Sequence, residues 1–109
     1  MRRGDIYIAA TRADYTGKPR PVVVIQDDRF DATASVTVCP LTTNTFAAPL
    51  VRLELQPSGT NGLSRTNQIM VDKVTSIPRA SVRDRLGQLE SADLVRLNRA
   101  IIVFLGVAG

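Results

Sequence analysis

The stretch Pro19-Arg20-Pro21-Val22-Val23-Val24-Ile25 constrains the fold more than any other part of the chain. A near-continuous apolar run from Pro21 to Gln26, bounded by turn signals, reads as a buried central strand. Proline fixes its own backbone and pushes the preceding residue into an extended conformation. Lys18 precedes Pro19 and Arg20 precedes Pro21, so the segment is a rigid presenter of one guanidinium at the head of that strand. A planar five-donor fork on a stiff backbone suits phosphate recognition.

Around this strand the pattern is mostly β. Gly4–Ala10 alternates as a first strand and Ala34–Leu41 gives a third. Leu50–Leu55 sets Val51, Leu53 and Leu55 against Arg52 and Glu54, a half-exposed strand. Gln68–Val74 reads as a further strand, Ser76–Ser81 as a short turn around Pro78, and Val82–Leu89 as the last strand. Thr11–Pro19, Thr42–Pro49 and Pro57–Gly62 are polar or turn-rich connections. Ser91 is placed to cap a helix over Ala92–Leu105, with Asp93 in the first turn and Leu94, Leu97, Ile101 and Leu105 on one line. The expected fold is mostly β with a C-terminal helix, a small β-barrel in one domain spanning 1–109.

Composition narrows the chemistry. The chain has 109 residues and a net charge of +4, carried by twelve arginines and two lysines against ten carboxylates. A basic balance suits an acidic partner, nucleic acid or protein. Histidine is absent and Cys39 is the single cysteine, so no metal-ligand cluster of recognisable spacing and no disulfide framework is expected. Cys39 in an apolar strand reads as a small buried hydrophobe, and single-cysteine usage suits a reducing, cytoplasmic setting. The apolar run Ala100–Ala108 is too short to span a bilayer. Asp27, Asp28 and Asp31 form an acidic knot that reads as a solvated turn.

Several segments in order carry a family resemblance: Arg3-Gly4-Asp5-Ile6-Tyr7, Arg20-Pro21-Val22-Val23-Val24-Ile25-Gln26-Asp27-Asp28 and Val38-Cys39-Pro40-Leu41-Thr42-Thr43. Gly62-Leu63-Ser64, Val71–Ile77 and Arg85-Leu86-Gly87-Gln88-Leu89 continue it over nearly the whole chain. The chain resembles the MazF/PemK toxins, sequence-specific endoribonucleases of bacterial toxin–antitoxin pairs. The resemblance implies an SH3-like barrel shared with the CcdB toxins, a homodimer, and a small acidic antitoxin partly disordered when free. It implies single-stranded RNA as substrate, mRNA first, with tRNA and rRNA as further classes, and growth arrest as the outcome. It implies no cofactor and no membrane.

By the same resemblance Arg20 lies beside the scissile phosphate and Thr42 is the catalytic threonine, its hydroxyl donating to that phosphate. In extended chain, neighbouring side chains face opposite sides, so at most one of Thr42 and Thr43 is expected to point at Arg20, and Thr42 is the choice. Tyr15, Lys18, Thr43, Asn44 and Lys73 are the candidate RNA-binding residues; Arg12 and Phe46 add to the basic-aromatic mix suited to single strands. Arg79, Arg83 and Arg85 read as surface charge or as attraction for an acidic antitoxin.

Metal-free RNA cleavage proceeds by attack of the 2′-hydroxyl on its own phosphate, which demands alignment and charge stabilisation on the non-bridging oxygens. An arginine side chain has a reference pKa of about 12.5 or above, so using one as a base near neutral pH costs roughly 7–9 kcal/mol. Arg20 is therefore cast as a charge stabiliser and proton donor to the leaving oxygen, with the base left open. The rival from another class is a non-catalytic CcdB-type toxin that binds and poisons DNA gyrase, which would share the fold but not the Arg20–Thr42 pair.

Overall fold

A computed structural model describes residues 1–10 and 18–107. Seven strands and one helix make up its regular structure: β1 Asp5–Ala9, β2 Arg20–Val24, β3 Ser35–Thr42, β4 Arg52–Leu55, β5 Asn67–Met70, β6 Thr75–Pro78, β7 Val82–Gln88 and α1 Ser91–Phe104. The fold is mostly β with one C-terminal helix, as the pattern predicts.

Why β2 is so uniformly apolar is plain from its neighbours. Val23 packs with Ile6, Cys39, Leu41, Ile69 and Leu97 on the helix side of the sheet. Val22 and Val24 face the other way, into a second cluster with Ala9, Val36, Val38 and Ile77. Both faces of the strand are buried, so both parities must be hydrophobic. Each such valine removed from water contributes roughly 1.5–3 kcal/mol.

The second cluster lies inside a curled sheet. β6, β3, β2, β1 and β7 pair in that order, all antiparallel. The two outer strands, β6 and β7, are joined by only the three residues of the 3₁₀ turn Arg79–Ser81. So short a connection forces the sheet to curl until its outer strands approach, which gives the barrel. β3 is the strand that all else refers to. β2 occupies one of its edges; on the other, β6 pairs with its first half and β5 with its end.

The sequence suggests one strand over Gln68–Val74 and a turn over Ser76–Ser81; both are corrected. Leu41 faces Ile69, whereas Val38 faces Thr75, so three steps along β3 use six along its partner. The three extra residues are the 3₁₀ turn Val71–Lys73. The apolar pattern conceals this because Val71 stays in the core. Pro78 ends β6 opposite Ser35 rather than breaking it, since β6 lies at the edge beside β3, where a missing N–H is tolerated.

Helix α1 lays Leu97 and Ala100 into the main core, with Leu94 and Ile101 against it. Leu105 departs from the expected line: it closes the helix and is exposed. Ser91 is the first helical residue instead of the cap, and Glu90 occupies the cap position with its carboxylate taken by Ser58 Oγ at 3.0 Å. Arg52, expected on a wet face of β4, is folded inward onto Asp72 with Nε 2.8 Å from Oδ1. Burial pushes the Cys39 thiol up to about 12, as fits a core residue.

Candidate active site

The end of β3 and the start of β2 meet at one cavity. Val24, Val23 and Val22 stand opposite Val38, Cys39 and Pro40. Arg20, two residues before Val22, and Thr42, two residues after Pro40, lie at the same end of this pair of strands. Both line a cavity of about 450 Å³, together with Lys18, Pro19, Pro21 and Thr43. The two prolines that bracket Arg20 are thus part of the wall that holds it.

Thr42 is buried, and its Oγ1 accepts a hydrogen bond from the backbone N–H of Asn44 at 3.0 Å. Its strand partner on the other edge is Gln68. The Gln68 amide clamps the loop after β3, donating to Phe46 O at 2.8 Å and accepting from Phe46 N at 3.2 Å. The Phe46 ring is half exposed and lies under the Arg52 guanidinium, 4.5 Å from its centroid. Arg52 in turn is held by two hydrogen bonds to Asp72, which keep the Asp72 carboxyl below the usual carboxylate range.

The rest of the cavity wall comes from Gly62, Leu63, Ser64, Arg65 and Asn67, a segment given no site role from sequence, with Leu86 and Ile8 completing the lining. This wall is irregular yet braced. The buried Asn61 carboxamide accepts from Ser58 N at 2.9 Å and Leu63 N at 3.0 Å and donates to Gln56 O at 2.8 Å. Gly62 has φ +71°, and a Cβ there would lie 2.1 Å from Leu86 O. The Gly62-Leu63-Ser64 match hinted at this wall; nothing marked Arg65 beyond its charge.

Of the candidate residues, Arg20, Thr42, Thr43 and Lys18 come together at the cavity. Asn44 is exposed just beyond it, and its backbone serves Thr42. Lys73 sits exposed on the 3₁₀ insertion and does not line the cavity. Tyr15 and Arg12 lie outside the described residues. Arg79 and Arg85 are tied within the chain, to Asp31 and Asp5, each at 3.2 Å. Asp31 also takes the N-terminal ammonium at 3.1 Å, so the acidic knot fastens chain segments together. No helix among the described residues is long and apolar enough to cross a membrane.

Chemically, the arrangement sets a charged fork and a hydroxyl donor side by side in a recess. That combination suits an anion with two exposed oxygens.

Comparisons with known proteins identify the family. Residues 2–105 match the family described as PemK-like, MazF-like toxin of type II toxin-antitoxin system. The chain is 60% identical over 109 residues, the whole length of both proteins, to a probable endoribonuclease MazF of Mycolicibacterium smegmatis. It is 28% identical over 114 residues to endoribonuclease MazF9 of Mycobacterium tuberculosis, covering 96% of each chain. Among solved structures, the Mycobacterium tuberculosis toxin MazF-mt6 has the same fold, with a TM-score of 0.79 at 23% identity over 94% of this chain and 96% of that one. An endoribonuclease from a mycobacterial species, solved in complex with its cognate antitoxin, also gives 0.79, at 22% identity over 98% and 96% of the two chains. A barrel of this topology, with these residues at the end of β3 and a family match over nearly its full length, places the chain in the MazF/PemK family of toxins of type II toxin–antitoxin systems.

Proposed function

We propose that this MazF-family endoribonuclease cleaves single-stranded RNA at a short sequence without a metal ion, by attack of the 2′-hydroxyl on the adjacent phosphate. A bond forms between O2′ and phosphorus as the bond from phosphorus to O5′ breaks. The products are a 2′,3′-cyclic phosphate and a 5′-hydroxyl end. The 2′-hydroxyl proton leaves to solvent, and the departing O5′ takes one up from Arg20, which solvent then reprotonates.

The observation that carries the reading is that Arg20, at the head of β2, and Thr42, at the end of β3, line a single cavity. In the transition state the phosphoryl oxygens gain charge, and preformed donors aimed at that charge lower the barrier most. The Arg20 fork addresses one non-bridging oxygen and the leaving side. Thr42 Oγ1, already accepting from Asn44, keeps its proton for the other oxygen. Lys18 and Thr43 on the same cavity hold the strand. Tyr15, Asn44 and Lys73 belong to the proposed RNA contact surface outside it. The chain works as a homodimer, blocks translation by cutting mRNA, and is neutralised by an acidic antitoxin, as the antitoxin complex of the mycobacterial relative supports.

The test is incubation of the purified protein with a long RNA in EDTA, followed by mapping of the ends, with Arg20→Ala in parallel. Discrete cuts with 2′,3′-cyclic phosphate ends, lost in the variant, are expected. Intact RNA under conditions where the protein still arrests growth would overturn the reading.

A further inference from the structure

We propose that Arg65 is a second phosphate-binding residue of this groove, taking the RNA phosphate next to the one being cleaved. The inference rests on the ribonuclease reading and extends it to the opposite wall.

Topology puts Arg20 and Arg65 on either side of the reactive threonine. β2 and β5 are neighbours of β3 on its two edges, and both flank its end. Arg20 opens β2, and Arg65 lies two residues before β5 begins. β2 and β5 are two strand spacings apart, roughly 10 Å, with β3 between them, and Arg65 lies three residues before Gln68, the residue opposite Thr42. Both line the same cavity. A cavity of about 450 Å³ holds little more than one nucleotide unit, so a single strand seated at Arg20 and Thr42 must pass over the other wall as it leaves. Its next phosphate meets the wall where Arg65 and Ser64 stand.

Two further observations single out Arg65. First, its backbone is fixed although the segment is irregular: buried Asn67 donates from Nδ2 to Arg65 O at 3.0 Å. The Asn61 brace and the Gly62–Leu86 approach hold the preceding residues. Immobilising a loop in advance reduces the entropy lost on binding. Second, its charge is uncommitted within the fold. Arg52, Arg79, Arg85 and Arg96 all pair with aspartates, whereas no carboxylate pairs with Arg65 among the described residues. The Arg65 side chain is exposed at the cavity mouth. An unspent cation on a rigid wall beside an anion-binding recess is suited to a phosphate.

The experiment uses Arg65→Gln, Arg65→Lys and Arg99→Gln, the last being a helix cation that lines a separate groove. Binding of a mixed-sequence single-stranded DNA, which has no 2′-hydroxyl and is not cut, is measured against salt for each. Arg65→Gln is expected to weaken binding about 10-fold at low salt and to flatten the plot of log affinity against log salt by about 0.7, one phosphate's worth for a single strand. Arg65→Lys keeps most of that slope, and Arg99→Gln leaves affinity and slope as they were. Where the wild type also cuts RNA, Arg65→Gln raises KM far more than it lowers kcat and keeps the same cleavage sites. An unchanged slope in Arg65→Gln, an equal loss in Arg99→Gln, or an altered cleavage motif would overturn the proposal. Failure of the wild type to cut RNA overturns only the ribonuclease reading, because the binding slope is read without cleavage.

Discussion

The backbone N–H of Asn44 donates to Thr42 Oγ1 at 3.0 Å, closing a two-residue turn directly after β3. A hydroxyl has one proton to give, and an occupied acceptor side directs that proton away from the turn. On the proposed mechanism, that proton is the one Thr42 offers toward the cavity. The turn also gives Asn44 a role that its side chain does not carry.

Removing that donor tests the assignment. Thr42→Val keeps the shape of a buried side chain and is expected to lower kcat about 10²–10³-fold, the usual loss for one charge-stabilising donor. Thr42→Ser should retain most activity. Asn44→Ala should keep the turn and act weakly on kcat, whereas Asn44→Pro removes the N–H and is expected to cost about 10-fold, near one hydrogen bond. Single-turnover cleavage of a short RNA reads all four.

Arg20→Lys separates charge from geometry. A lysine retains the cation but not the planar fork, so recovery should be partial: activity above Arg20→Ala by about 10-fold, and below wild type by a similar factor. Full recovery in the lysine variant would mean that charge alone is what the site needs.

The Arg52–Asp72 pair predicts a pH-dependent part of stability. Arg52 is buried under Phe46, so Asp72→Asn leaves its charge uncompensated and is expected to cost about 2 kcal/mol at pH 7, below the full buried-pair range because Asp72 is partly solvated. Hydrogen bonding from Arg52 lowers the Asp72 pKa in the folded state. Its contribution is therefore complete above the unfolded value near 4 and fades as pH falls through the folded one. Urea unfolding of both proteins at pH 7 and again below pH 3 should show the gap closing in acid.

Three glycines give a steric series. A Cβ at Gly62 would meet Leu86 O at 2.1 Å, and one at Gly87 would meet Thr60 O at 2.3 Å; at Gly59 nothing lies within 4 Å. Alanine at Gly62 or Gly87 is expected to cost about 2–4 kcal/mol, since backbone atoms must shift. Gly59→Ala should be neutral within about 0.5 kcal/mol. Thermal unfolding ranks them, and comparable effects at all three would refute the close approach of the 58–62 turn to β7.

Where burial follows the side-chain pattern, the sequence was readable. β2 declared itself because both of its faces are covered, and Leu97 sat on the predicted helix stripe. The proline bracket around Arg20 was visible as a local signal, whereas Thr42 and Thr43 were singled out through the family resemblance. Legibility failed where partners are distant. Arg79 finds Asp31 across 48 residues and Arg85 finds Asp5 across 80, so both looked like free surface charge. The Val71–Lys73 insertion kept a strand-like apolar pattern through a change of backbone. Arg65 was invisible because a lone charge in a turn-rich segment carries no signal until the fold sets it beside Thr42.

The insertion at Val71–Lys73 has an evolutionary consequence. β5 and β6 act as two splints on one bone, each bound to its own half of β3, with a short 3₁₀ joint between them. A family that alters the splint beside Leu41 and Thr42 can reshape the recess without sliding the splint that closes the barrel. On the proposed reading of that recess, preference for new RNA sequences can then drift while the strands that close the barrel stay untouched.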